Sequence, residues 1–99
     1  MFKEIKTFTG KFIDPINPHP DLIDINDIAH ALSNMPRFGG HTKKFYSVAE
    51  HCLRCLQIVK GQNIELETLM HDAAEAYIMD MPSPVKWRLP DYKKMELKL

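Results

Sequence analysis

This sequence has few cysteines, no excess of positive or negative charge and no long hydrophobic run. Each of these features excludes a class of protein. Two cysteines, Cys52 and Cys55, cannot form a disulfide framework and agree with a reducing compartment. Lys plus Arg equals Asp plus Glu at 13 each, so no overall field attracts a nucleic-acid polymer or an anionic membrane. No apolar run approaches the roughly 20 residues of a membrane span, and the first four residues lack a signal-peptide layout. We therefore expect a cytoplasmic protein.

The overall composition is that of a folded protein of modest size. Hydrophobic residues make up 44% and charged residues 26% of the 99 residues, close to average globular usage. A chain of this length fits one small domain, which buries only about two thirds of its unfolded surface. We expect a single domain over 1–99, with a hairpin and loop in 1–23 and a helical metal-binding part in 24–99.

The beginning of the chain has the pattern of a small β element. β-Favouring residues flank Gly10 between Phe2 and Asp14, which predicts a hairpin that turns at Thr9-Gly10-Lys11. Three prolines then fall between Asp14 and Asp21, and they predict a loop because proline donates no backbone hydrogen bond and disfavours helix before it.

The rest of the chain predicts helices, so the expected fold class is mostly α. Asp24 or Asn26 is expected to cap a short helix, and 36–46 to form a polar loop. Ser47 and Glu50 have capping-box spacing and begin a helix expected to reach Lys60. Further segments are predicted as a helix over 63–79, a turn over 85–89 and a last helix from about Asp91.

The adjacent pair His71-Asp72 is the most unusual feature of the predicted helix over 63–79. An ionised carboxylate in an apolar helix costs several kcal/mol unless something compensates it. His51 lies in the apolar stripe of the preceding helix and can face this pair. Two imidazoles and a carboxylate suit a divalent transition metal, namely manganese, iron, cobalt, nickel or zinc. Taken singly, each residue is explained as well by an ordinary structural role.

Two carboxylates and a basic loop surround this pair in the sequence. Glu75 follows His71 by one helical turn and could orient or activate water, while Asp80 could hold an outer water or receive a proton. The loop 37–44 offers Arg37 for phosphate, with Phe38 and His41 beside it as substrate contacts. Solvated helix, turn and surface-loop roles remain the alternatives for these residues.

The remaining candidate ligands have structural explanations. Cys52 and Cys55 have the spacing of a redox or zinc pair, but no second cysteine pair exists and the spacing falls within a helix. Both thiols are predicted to fill the core. His19 and His30 have no spaced partner and are assigned to structure.

Two blocks of sequence resemble the HD-domain metal-dependent phosphohydrolases. The first runs from Arg37-Phe38 to Ser47-Val48-Ala49-Glu50-His51, and the second from His71-Asp72-Ala73-Ala74-Glu75 to Asp80-Met81-Pro82-Ser83-Pro84-Val85-Lys86. Within that family they are similar to bacterial 5′-deoxyribonucleotidases and phage-type deoxynucleotide phosphohydrolases. The resemblance implies an HD-type helical bundle, a nucleotide substrate, and His51, His71 and Asp72 as metal ligands.

The same resemblance implies roles for the neighbouring side chains. Glu75 would position the attacking water, Asp80 would assist at the phosphate, and Arg37 would hold the phosphate with Phe38 against the deoxyribose. The family's last metal-ligand aspartate comes several tens of residues after the HD pair, beyond Leu99, and Asp91 is too near to replace it. The resemblance therefore implies an incomplete bundle: either the chain is a fragment or truncated gene product, or the missing ligand comes from water, substrate or a second subunit. The alternative is a non-catalytic module that binds metal or nucleotide weakly and acts through oligomerisation; exposed apolar faces favour a homo-oligomer in either case.

Overall fold

About half of the chain is helical, as the sequence predicted, and a short hairpin precedes the helices. The computed structural model describes residues 3–98. The strands are β1 (Ile5–Lys6) and β2 (Phe12–Ile13), and the helices are α1 (Ile25–Asn34), α2 (Val48–Ile58), α3 (Glu65–Leu69), α4 (Glu75–Ile78), α5 (Ser83–Lys86) and α6 (Pro90–Lys98). Two 3₁₀ turns, Pro20–Leu22 and Arg37–Gly40, lie in the connecting segments. The hairpin's predicted beginning at Phe2 and the last residue, Leu99, lie outside the described residues.

The hairpin closes at the predicted place and places one residue in the core. The strands are antiparallel, with Ile5 opposite Ile13 and Lys6 opposite Phe12. Gly10 has a φ of +89°, which a residue without Cβ adopts readily, and its amide donates to the Thr7 carbonyl. Ile13 is fully buried, so the hairpin is part of the core.

Asp27 joins the hairpin to α1. The backbone amide of Thr9 donates to one oxygen of Asp27 at 2.8 Å, and the Thr9 hydroxyl donates to the other at 2.9 Å. Burial would raise the pKa of Asp27, but hydrogen bonds from Thr9 and Thr7 outweigh it and lower that pKa. The buried carboxylate is therefore a structural contact between the two parts of the chain.

Side-chain caps begin α1 and α2 at predicted residues. Asp24, rather than Asn26, caps α1 by accepting from the Asn26 amide at 2.8 Å. Ser47 caps α2 by accepting from the Glu50 amide at 3.0 Å, while the Glu50 carboxylate pairs with Arg54. Both α2 and α4 pack against α1. The core formed between these elements and the hairpin contains Ile13, Ile28, Leu32, Val48, Cys52 and Tyr77.

The predicted continuous helix over 63–79 was wrong, because residues 70–74 form turns between α3 and α4. In this segment amides donate three residues back: Ala73 to the Met70 carbonyl and Glu75 to the Asp72 carbonyl, both at 3.0 Å. In a continuous α-helix the Thr68 carbonyl would accept from the Asp72 amide. Here the Thr68 carbonyl instead contacts Nδ1 of His71. His71 and Asp72 therefore lie in a turn and not within an α-helix.

Three smaller boundaries also differ from the prediction. The helix α2 ends at Ile58 instead of Lys60, because the chain turns through Gly61 at a φ of +87°. The loop 36–46 contains the 3₁₀ turn Arg37–Gly40. A turn was predicted over 85–89, but a short helix, α5, begins before it at Ser83. The fixed φ of Pro84 suits the first turn of this helix.

Within residues 3–98, no helix combines the length and apolar character that crossing a membrane requires.

Candidate metal centre

The first side chain of the site, His71, is held by a backbone carbonyl. Its Nδ1 contacts the carbonyl oxygen of Thr68. A carbonyl only accepts, so Nδ1 carries the proton and donates it, which leaves Nε2 with a free lone pair in the neutral ring. That Nε2 is 2.9 Å from Oδ2 of Asp72. The turn thus orients the imidazole with Nε2 beside Asp72.

The second imidazole comes from α2. Nε2 of His51 is 3.5 Å from the same Asp72 oxygen, and the His51 and His71 rings meet edge to face with centroids 5.3 Å apart. Burial and the nearby positive charge of Arg37 lower the pKa of His51, more than the Asp72 charge raises it. His51 therefore favours the neutral form, which is the form that binds metals.

Asp72 contributes the oxygen between the two imidazoles. Its Oδ2 is buried and has no hydrogen-bond partner among the described residues, although His71 Nε2 is 2.9 Å away. A lone pair on nitrogen and a carboxylate oxygen repel each other at that distance unless a proton or a cation lies near both. Ligands of one ion at about 2.1 Å are about 3.0–3.4 Å apart, close to the observed 2.9 and 3.5 Å. His51 and His71 each lie at ligand spacing from Asp72, and these donors could hold a divalent cation.

The structure adds cysteine to this site. Two sets of three residues have ligand atoms within 4.8 Å of one another, namely His51, Cys55 and His71, and Cys52, His71 and Asp72. The prediction that Cys52 fills the core is confirmed, and burial raises the pKa of its thiol to about 11. The same prediction missed the site contact of Cys55, although this residue lies one helical turn after His51.

Glu75 is a buried carboxyl group beside the three predicted ligands. It is 4% exposed, and its Oε2 has no hydrogen-bond partner among the described residues. Burial, with the negative charges of Asp72 and Asp80, raises its pKa to about 8, and the Lys86 charge opposes this rise. In the metal-free protein Glu75 is thus largely protonated at neutral pH.

Asp80 acts on the same site through its charge. It raises the pKa values of both Glu75 and His51, so its carboxylate lies near both. The preceding residue, Met79, has a φ of +77°, and the Tyr92 hydroxyl donates to its carbonyl. This left-handed turn ends α4 and directs the chain toward Asp80. The carboxylate pair Glu75 and Asp80 was predicted, whereas the effect of Lys86 was not, although it ends the second sequence block.

Arg37 is the predicted loop residue that reaches the site. Its backbone amide donates to the Tyr46 carbonyl at 2.8 Å, which joins the loop to the residue before the α2 cap. Its Nε is buried and has no partner within residues 3–98, while its guanidinium lies 4.6 Å from the Phe38 ring centre. Phe38 and His41 are exposed, and the contacts recorded for them lie within the loop. The other two histidines are structural, since His19 caps a 3₁₀ turn and His30 stacks on Phe8.

Comparison with known proteins gives two relatives. The chain is 56% identical over 97 residues to the uncharacterized protein YfdR of Escherichia coli, covering 96% of this chain and 53% of that protein. It is 37% identical over 89 residues to an uncharacterized protein of Rhodobacter capsulatus, covering 82% of this chain and 45% of that protein. The chain thus spans about half the length of the curated relatives it matches. No protein-family model matches it.

Proposed function

We propose that this site is the metal centre of an HD-type phosphohydrolase that acts on nucleotide phosphates, with 5′-deoxynucleotides as the first candidate substrates. The observation that carries the proposal is the buried Oδ2 of Asp72, which lies between the imidazoles of His51 and His71 and has no hydrogen-bond partner within residues 3–98. The order and spacing of these residues, which resemble the HD family, support it further. A cytoplasmic location is part of the proposal and agrees with two free thiols.

The three ligands would hold one divalent transition ion, which the donor set restricts to manganese, iron, cobalt, nickel or zinc. When bound, such an ion supplies an acidified water and polarises a phosphoryl oxygen. The protein's own contribution is orientation. Thr68 fixes the tautomer of His71, and burial keeps His51 neutral, so both imidazoles offer a lone pair without a rearrangement.

The neighbouring carboxylates would handle protons. A carboxyl group with a pKa near neutrality both donates and accepts a proton readily. The pKa of Glu75 is about 8. Beside a bound cation the pKa of Glu75 would fall, and Glu75 would then accept a proton from the attacking water. The negative charge of Asp80 opposes this fall and favours return of the proton. Lys86, which pairs with Glu96 at 3.1 Å, lowers the pKa of Glu75.

Arg37 would bind the phosphate. Its buried Nε has no acceptor in the described part of the chain, and a phosphate oxygen would satisfy it with a charge-assisted hydrogen bond. The exposed ring of Phe38, packed on the guanidinium, would meet the sugar, and His41 in the same loop would contact the substrate.

Phosphate release from a panel of deoxynucleoside mono- and triphosphates, with each of the five metals, tests the proposal. We expect release by the wild type and a loss of about 10- to 100-fold in kcat/KM for Arg37→Met, because a hydrogen bond to a charged group contributes about 1.5–3 kcal/mol. Arg88→Met, which removes an exposed arginine, is the matched control and should retain activity. A folded wild type without turnover in any combination would contradict the proposal and favour the non-catalytic module.

We also propose that the chain forms a homo-oligomer through an apolar groove between α1, α2 and α3. Ile25 and Leu53 line this groove and are 58% and 54% exposed. Leu53→Lys should convert the oligomer to a monomer, because an unpaired charge would be buried at the contact. Size-exclusion chromatography with light scattering measures the mass, and Ile58→Lys, at an exposed residue on α2 that does not line the groove, is the control. A monomeric wild type at micromolar concentration would contradict self-association.

A further inference from the structure

We propose that Cys55 is a ligand of this metal centre and that it makes the site a thiolate-containing one, suited to zinc, cobalt or iron. The inference rests on the metal site of the proposed function and adds a ligand that the sequence resemblance does not supply. The ligand atoms of His51, Cys55 and His71 all lie within 4.8 Å of one another.

The position of Cys55 on α2 brings it to the same side as His51. Residues four apart on an α-helix lie one above the other, so both side chains face the turn that carries His71. The Cys55 sulfur is 3.7 Å from Nε2 and 3.8 Å from Nδ1 of His51. A sulfur at about 2.3 Å and a nitrogen at about 2.1 Å from one tetrahedral ion are about 3.6 Å apart, so the sulfur is at ligand spacing from the ring. A rotation of the Cys55 side chain would bring the sulfur into line with a nitrogen lone pair.

Cys55 has ligand spacing to the two imidazoles, and Asp72, whose Oδ2 is 2.9 Å from His71, would complete four donors around one ion. Two imidazoles, one carboxylate and one thiolate give the four ligands that zinc prefers, and zinc can expand to five when a substrate oxygen arrives. A thiolate is a soft ligand, so it favours zinc, cobalt and iron over magnesium and calcium, which take oxygen ligands. On binding, a metal–sulfur bond forms and the thiol proton passes to solvent.

Cys55 is a better candidate than Cys52, although both are near His71. Cys52 is 3% exposed and belongs to the hydrophobic core with Val48 and Ile28. Cys55 is half-buried and is the thiol that contacts His51. Moving Cys52 to a metal would remove a side chain from the core, whereas Cys55 already borders the site.

Cobalt(II) titration of the whole chain tests the proposal with a readout that does not depend on activity. A cobalt–thiolate bond gives an intense near-ultraviolet charge-transfer band, which imidazole and carboxylate ligands do not give. We expect this band in the wild type and in Cys52→Ser, and its loss in Cys55→Ser and Cys55→Ala. The two Cys55 variants should still bind cobalt through the other ligands, with affinity reduced by at least about 10-fold. Circular dichroism confirms that each variant is folded.

The possible results separate this inference from the function on which it rests. Cobalt bound to the wild type without the thiolate band would overturn the role of Cys55 and leave the site of His51, His71 and Asp72 standing. Loss of the band in Cys52→Ser but not in Cys55→Ser would overturn the choice of cysteine. A wild type that binds no cobalt would overturn both the inference and the proposed metal centre.

Discussion

Asp72→Asn should greatly weaken metal binding and metal-dependent phosphate release. The substitution removes the charged oxygen that lies 2.9 and 3.5 Å from the two imidazole nitrogens and keeps the side-chain volume. Removing one partner of a buried ionic contact costs about 3–5 kcal/mol, which corresponds to a loss of about 10²- to 10³-fold in metal affinity. Isothermal titration with zinc or cobalt, followed by the phosphate assay, measures both effects.

The stability of the same variant distinguishes a ligand from a structural residue. Without metal, Oδ2 of Asp72 has no hydrogen-bond partner among the described residues. At pH 8 the Asp72→Asn variant should therefore unfold at the same temperature as the wild type or at a higher one. With metal, only the wild type should gain stability, because an ion that binds the folded state shifts the unfolding equilibrium. Asp21→Asn, at an exposed residue, is the control. A large loss of stability in metal-free Asp72→Asn would indicate a structural role instead.

Glu75→Gln should change the pH dependence of stability in the metal-free protein. The folded pKa of about 8 is above the ordinary value of 4.5, so between these values the unfolded chain loses a proton that the folded chain keeps. The wild type must therefore become less stable as pH rises from about 5 to 8. This dependence amounts to about 4 kcal/mol, and the neutral glutamine should remove it.

Chemical denaturation in the presence of a chelator, at several pH values, measures this difference. Glutamine should be close to wild-type stability at pH 5, where the folded wild type has a neutral carboxyl, and should exceed wild-type stability by most of this difference at pH 8. Glu67→Gln makes the same chemical change at an exposed residue of α3 and should leave the pH slope unaltered. Equal slopes in the wild type and Glu75→Gln would mean that Glu75 is ionised in the folded protein.

Short-range signals in the sequence predicted the fold where one residue determines a local conformation. Asp24 and Ser47 cap helices because their side chains satisfy the free amides of a helix start, and this needs no distant partner. Gly10 likewise marks the hairpin turn. The bond between Asp27 and Thr9 spans 18 residues, and an acidic residue in a first helical turn gives no sign of it.

The structure brings the predicted residues His51, His71 and Asp72 together, but the helix predicted to carry His71 and Asp72 was wrong. Helical periodicity across 63–79 does not distinguish a continuous helix from two helices joined by turns, because apolar residues recur in either case. The interruption comes from His71, which contacts the Thr68 carbonyl. The contact of Cys55 was missed for a related reason: its spacing to Cys52 suggested a cysteine pair, whereas the side chain that it contacts is His51, four residues earlier.

Metal content is the most direct test of the central claim that His51, His71 and Asp72 form a metal centre. Plasma mass spectrometry of the purified 99-residue chain and of His71→Ala, after dialysis against metal-free buffer, gives the ratio of metal to protein. We predict a near-stoichiometric divalent transition metal in the wild type and its loss in His71→Ala. A wild type that contains no metal, or a His71→Ala variant that retains the full wild-type amount, would contradict the account.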